Sequence, residues 1–102
     1  MKPEKLRQHG RTPFPAAVRL CWDDGRGNLY EVRGKGIDRS PSGLRLEVSE
    51  PIPAKAVVLV HAGGYGAVGS AWVRHCARRG ARFTVGLEFT QAVRWKDDPG
   101  LQ

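Results

Sequence analysis

The chain has 102 residues, 40% of them hydrophobic and 26% charged, with Lys and Arg exceeding Asp and Glu to give a net charge of +7. That length supports one domain with a single core and no obligatory staple, and no apolar run approaches the roughly eighteen residues of a membrane-spanning helix. The positive balance calls for an anionic partner without naming it, since DNA, RNA, an acidic membrane and a dinucleotide all fit. A basic surface that only keeps a small domain soluble fits as well.

The N-terminal residues are polar and lack the apolar stretch of a signal peptide, so the expected location is cytoplasmic. Cys21 and Cys76 match no metal or redox spacing, and His9, His61 and His75 show no ligand spacing; neither a metal nor a cofactor is expected. Residues 1–13 carry no hydrophobic period and contain Pro3, Gly10 and Pro13, which predicts a flexible N-terminal arm. Pro13 and Pro15 push the residues before them toward extended geometry.

A barrel domain is predicted over residues 14–90. Its first strand places Ala16, Val18, Leu20 and Trp22 on one face. Residues 23–28, two Asp with Gly25, Gly27 and Asn28, form a turn by composition. Tyr30 and Val32 begin the core face of the next strand, on which Gly34 and Gly36 remove two side chains; glycines inside a strand mark a bulge or a close approach. Leu44, Leu46 and Val48 repeat the inward alternation. Residues 56–60 are continuously apolar, as in a strand covered on both faces. Residues 64–69 satisfy GxGxxG literally. Residues 70–76 are rich in β-formers and leave no room for a βαβ unit, so a hairpin turn is expected rather than a dinucleotide fingerprint. Phe83, Val85, Leu87 and Phe89 give the cleanest alternation in the chain. Residues 91–102 contain Trp95 and end in a turn-rich sequence, predicting a frayed tail with at most a short helix. Six strands with turn-type punctuation, and no long helical period, point to an all-β, small antiparallel barrel.

Two polar stretches stand out. Arg7 and Arg11 are guanidiniums four residues apart flanking Gly10, and guanidinium forks grip phosphate oxygens or the O6/N7 edge of guanine in pairs. Asp38-Arg39-Ser40-Pro41-Ser42-Gly43 joins two alternating strands. Asp38 is an acceptor-only carboxylate, Ser40 a hydroxyl that donates and accepts, and Gly43 permits close approach. A plain Ser/Pro/Gly turn is the structural alternative.

Together, RxxxR at Arg7 and Arg11 and DxSxxG at Asp38, Ser40 and Gly43 resemble the two signatures of the PilZ domain, in that family's order. The run of Val85, Gly86 and Phe89 looks like its closing strand, so the likeness extends from Arg7 to about Phe89. The resemblance implies a six-stranded PilZ-type barrel and a bacterial receptor for the second messenger cyclic di-GMP. Its ligand residues would be Arg7, Arg11, Asp38, Ser40 and Gly43. Ligand binding would order the arm, and a separate effector protein would receive the signal. Leu6 stands where some members carry a further arginine for a second nucleotide, which leans toward one ligand per chain.

No catalytic constellation is visible: Ser40 and Ser42 have no histidine at a telling position, and no carboxylates pair for acid–base work. A binding module rather than an enzyme is expected. The rival from another class is a small basic β-barrel gripping RNA or single-stranded DNA on stacked aromatics. Phe83, Phe89, Trp22 and Tyr30 fall on apparent core faces, however, leaving few rings for a stacking platform.

Overall fold

The structure is a computed structural model that describes residues 10–95. Alternation determines its elements: β1 (Thr12–Pro13), β2 (Ala17–Asp23), β3 (Leu29–Arg39), β4 (Gly43–Val48), β5 (Val57–Ala62), β6 (Gly66–Arg79) and β7 (Arg82–Phe89). In β2, β4, β5 and β7 every second side chain is apolar and buried or partly buried, led by Val18, Leu20, Leu44, Leu46, Val48, Val58, Val60, Val85 and Leu87. Each such side chain is stabilised by about 1.5–3 kcal/mol on leaving water.

All neighbouring strands are antiparallel, in the order β1-β3-β2-β5-β6-β7-β4, and β4 pairs back onto β3. Six strands therefore close into a barrel, with β1 as an additional strand on β3. Closure removes the open edges that would otherwise template aggregation. Among the described residues there is no helix, and so none long and apolar enough to cross a membrane. Residues 64–69 form the β5–β6 hairpin, with Ala62 opposite Gly66, as their composition indicates.

Several expectations need correction. The continuous apolar run around β5 is covered on one face only: Val57 and Leu59 are 50% and 54% exposed, because a barrel wall has a single covered side. The arm does not run free to residue 13. Thr12 and Pro13 pair with Arg39 and Asp38 of β3, and Phe14 donates its N–H to the Ile37 carbonyl at 3.0 Å. Nor does the tail fray directly after residue 90, since Val93 and Trp95 pack against the core.

The two β3 glycines explain how Phe14 enters. A side chain at Gly36 would collide with the Phe14 carbonyl and ring, and one at Gly34 with the Glu47 carbonyl and Val48. The missing side chains let the chain before β2 fold over the barrel end and let β4 approach closely. Gly34→Ala and Gly36→Ala are each expected to lower stability by about 1–3 kcal/mol through overpacking. Val57→Ala, on the exposed wall, should stay within about 0.5 kcal/mol of wild type. Urea unfolding of the three variants checks this.

Candidate functional site

The site is built by one extra residue. Along β3, Val32, Gly34 and Gly36 face the barrel interior, with Gly34 opposite Val48 and Gly36 opposite Leu46 of β4. Strict alternation would carry Asp38 inward as well. The ladder instead shifts between Gly36 and Asp38, so that Asp38 stands opposite Arg45 and Arg39 opposite Leu44. Ile37 is the bulged residue, and a bulge reverses the facing of everything beyond it. Asp38 turns outward and Arg39 turns in.

Outside the barrel, Asp38 sits between two arginines. Arg11 donates from Nε at 2.9 Å and from Nη2 at 2.6 Å to Oδ1, while Arg45 Nη2 donates to Oδ2 at 2.6 Å. The carboxylate is largely covered, and the two guanidiniums are more open, at 37% and 46% exposure. Burial alone pushes the Asp38 carboxyl up. The hydrogen bonds and charges of Arg11 and Arg45 outweigh that and hold it below the ordinary carboxylate value of 3.8. Because Arg11 lies just before β1 and Arg45 on β4, this one carboxylate ties the N-terminal segment to the β3–β4 hairpin.

The turn after Arg39 is held by Ser40, which is buried. Its hydroxyl accepts the Ser42 N–H at 3.2 Å and the Gly43 N–H at 3.0 Å. Ser40 N–H and the Gly43 carbonyl close the hairpin at 2.8 Å. Gly43 is required by packing, since an added Cβ would lie 2.7 Å from the Leu87 carbonyl. The C-terminal segment then clasps the turn. Phe89 N–H donates to the Ser42 carbonyl and Val93 N–H to the Pro41 carbonyl, both at 2.8 Å. Trp95 Nε1 donates to the Ser40 carbonyl, also at 2.8 Å.

Arg39, turned inward, is buried among aromatic rings. Its guanidinium carbon lies 4.8 Å from the Trp95 centroid, 5.1 Å from Phe14 and 5.6 Å from Tyr65, and Nη1 donates to the Tyr65 hydroxyl at 3.3 Å. Beside this cage opens a cleft of about 710 Å³, whose walls include Gly10, Thr12, Arg39, Ser40, Pro41 and Trp95. Asp38 lies on the other side of the same turn, so carboxylate and cleft share the segment from Arg39 to Pro41 rather than a common lining.

Of the residues singled out in the sequence, the structure brings Arg11 and Asp38 into direct contact and places Ser40 and Gly43 inside the adjoining turn. Arg7 lies outside the described residues. Arg45, Arg39 and Trp95 were missed. Arg45 could have been found by counting back from the turn, which puts it across the hairpin from Asp38. The same count sets Arg39 across from the inward Leu44, whereas alternation read forward along β3 faces it outward, because the bulge intervenes. Among the described residues no His, Cys, Asp and Glu cluster could hold a metal ion. The chain matches no protein-family model and no curated protein.

The lowered Asp38 pKa fixes a sign. A carboxyl depressed in the folded state contributes stability above its unfolded value, and the contribution disappears as pH falls through the folded value. The stability of wild type over Asp38→Asn should therefore be constant above about pH 5 and shrink below about pH 4. Chemical unfolding across that range measures it.

Proposed function

We propose that the Asp38 platform binds cyclic di-GMP, making the chain a PilZ-type receptor that signals occupancy to a separate effector protein. The observation that carries this reading is the outward Asp38 carboxylate held between Arg11 and Arg45, on a turn whose other side walls an open cleft. Guanine presents two parallel donors, N1–H and N2–H, which a carboxylate accepts together. Phosphates and the O6/N7 edge suit the guanidinium forks on either side. In this structure those forks are spent on Asp38. Binding is then an exchange in which guanine donors take over the carboxylate while Arg11 and Arg45 turn to the ligand's acceptors. Ser40 and Gly43 act by holding the turn that presents Asp38, and Arg7 adds the second fork of the arginine motif.

Calorimetric titration with cyclic di-GMP, with cyclic di-AMP and GTP as controls, tests this. Adenine lacks both the N1–H and the 2-amino donor, so cyclic di-AMP should bind far more weakly. Arg11→Ala should weaken cyclic di-GMP binding by about 2 kcal/mol, roughly thirtyfold, as for other charged hydrogen bonds. Affinity should fall only gently with salt, because a ligand with two phosphates releases few counterions. No detectable heat with cyclic di-GMP, together with tight oligonucleotide binding that persists at about 0.2 M salt, would favour the nucleic-acid reading and overturn this one.

A further inference from the structure

A second cluster of positive charge lies on a different part of the wall. The register of β2 with β3 sets Arg19 opposite Arg33, and that of β2 with β5 sets Arg19 opposite His61. Three basic side chains therefore stand in one transverse row on the outer face, with neighbouring Cβ atoms about 4.5–5.5 Å apart. Glu31, in the next row, is shared between the two arginines, 3.3 Å from Arg19 Nη1 and 3.9 Å from Arg33 Nε. One carboxylate is thus shared by two guanidiniums, in a row that His61 completes. Like charges placed directly across a ladder destabilise a sheet, so folding alone does not account for the row.

The surroundings have the form of a receptacle. An open groove of about 510 Å³ runs along the row, and Gly34, Gly63, Gly64 and Gly66 contribute to its walls. At Gly64 and Gly66 an added Cβ would meet nothing within 4 Å, so a ligand can approach backbone there without obstruction. His61 Nδ1 is buried and has no hydrogen-bond partner among the described residues, so any contact of this ring with a ligand in the groove is through Nε2.

We propose that Arg19, Arg33 and His61 form a binding site for a phosphoryl dianion. Two guanidinium forks match phosphate oxygens in pairs, and a phosphate monoester carries about −1.5 to −2 charge near pH 7. That is enough to compensate the positive row where a singly charged carboxylate is not. The site uses no residue of the Asp38 platform and stands or falls separately from the proposed function. The phosphoryl group has three candidate sources with the same chemistry: an inorganic ion, a mononucleotide or a lipid headgroup.

The test is amide NMR of the full chain, titrated with sodium phosphate, pyrophosphate, adenosine monophosphate, and phosphatidylcholine vesicles with and without phosphatidic acid. Sodium chloride at matched ionic strength is the control. At least one phosphoryl probe should give saturable shifts confined to residues 17–19, 33–34 and 61–66, and the strongest probe identifies the source. Affinity should drop roughly tenfold or more in R19Q/R33Q, as expected on losing charged hydrogen bonds, and stay unchanged in R11Q. Arg33→Gln should leave thermal stability unchanged or raise it, because it relieves repulsion. Shifts that match sodium chloride, persist in R19Q/R33Q, or centre on Arg11 and Arg45 would overturn the site. So would a clear loss of stability in Arg33→Gln, which would make the row a structural ion-pair network.

Discussion

The bulge at Ile37 is the constraint on which the candidate site of this molecule depends. A strand has only two facings, so a single extra residue is enough to exchange them. Without it, Asp38 would point into an apolar barrel and Arg39 into water. With it, the carboxylate emerges opposite Arg45 and within reach of Arg11. The preceding glycines belong to the same device, because the space at Gly36 admits Phe14 and so brings Arg11 and Thr12 alongside the end of β3.

The inward-turned arginine is the other half of the arrangement. Burying a guanidinium is costly unless its charge is compensated. Here the compensation includes the faces of three rings and the Tyr65 hydroxyl, a desolvated setting in which a cation–π contact is worth up to about 2 kcal/mol. The rings also support one another: Phe14 and Trp95 have centroids 5.0 Å apart, and Tyr65 and Trp95 meet edge-on at 5.5 Å. Trp95 belongs to the segment that hydrogen-bonds the Ser40 carbonyl. The turn bearing Asp38 on one side and Arg39 on the other is therefore tied to the C-terminal segment, and displacement of either is felt by both.

The barrel was legible in the sequence because alternation in β2, β4 and β7 is regular and its inward members are large and apolar. The Asp38, Ser40 and Gly43 turn was legible for a related reason: polar, glycine-bearing residues between two alternating runs have few other placements. Read forward along β3, parity is lost at Ile37, where no residue type announces a bulge, and only the count back from the turn sets Arg39 against the inward Leu44. The docking of Trp95 onto Ser40 spans 55 positions, and nothing local in a turn-rich tail signals such a contact. Tyr30 looked like a core residue by alternation, yet it lies near the start of β3 and stacks on Trp22 at 5.6 Å while remaining 46% exposed. The row of Arg19, Arg33 and His61 exists only once two strand registers, β2 with β3 and β2 with β5, are known.

The proposed exchange of Asp38 for a guanine-bearing ligand by Arg11 and Arg45 is open to direct measurement. The arginine Nε–H spectrum reports it during titration with cyclic di-GMP, with the Arg11 and Arg45 signals assigned by substitution. Both signals should shift and saturate together at the same ligand ratio. In Asp38→Asn, the Arg11 signal should start from a different position, because its carboxylate acceptor is gone. Saturable binding that leaves the Arg11 and Arg45 signals where they began would contradict the exchange.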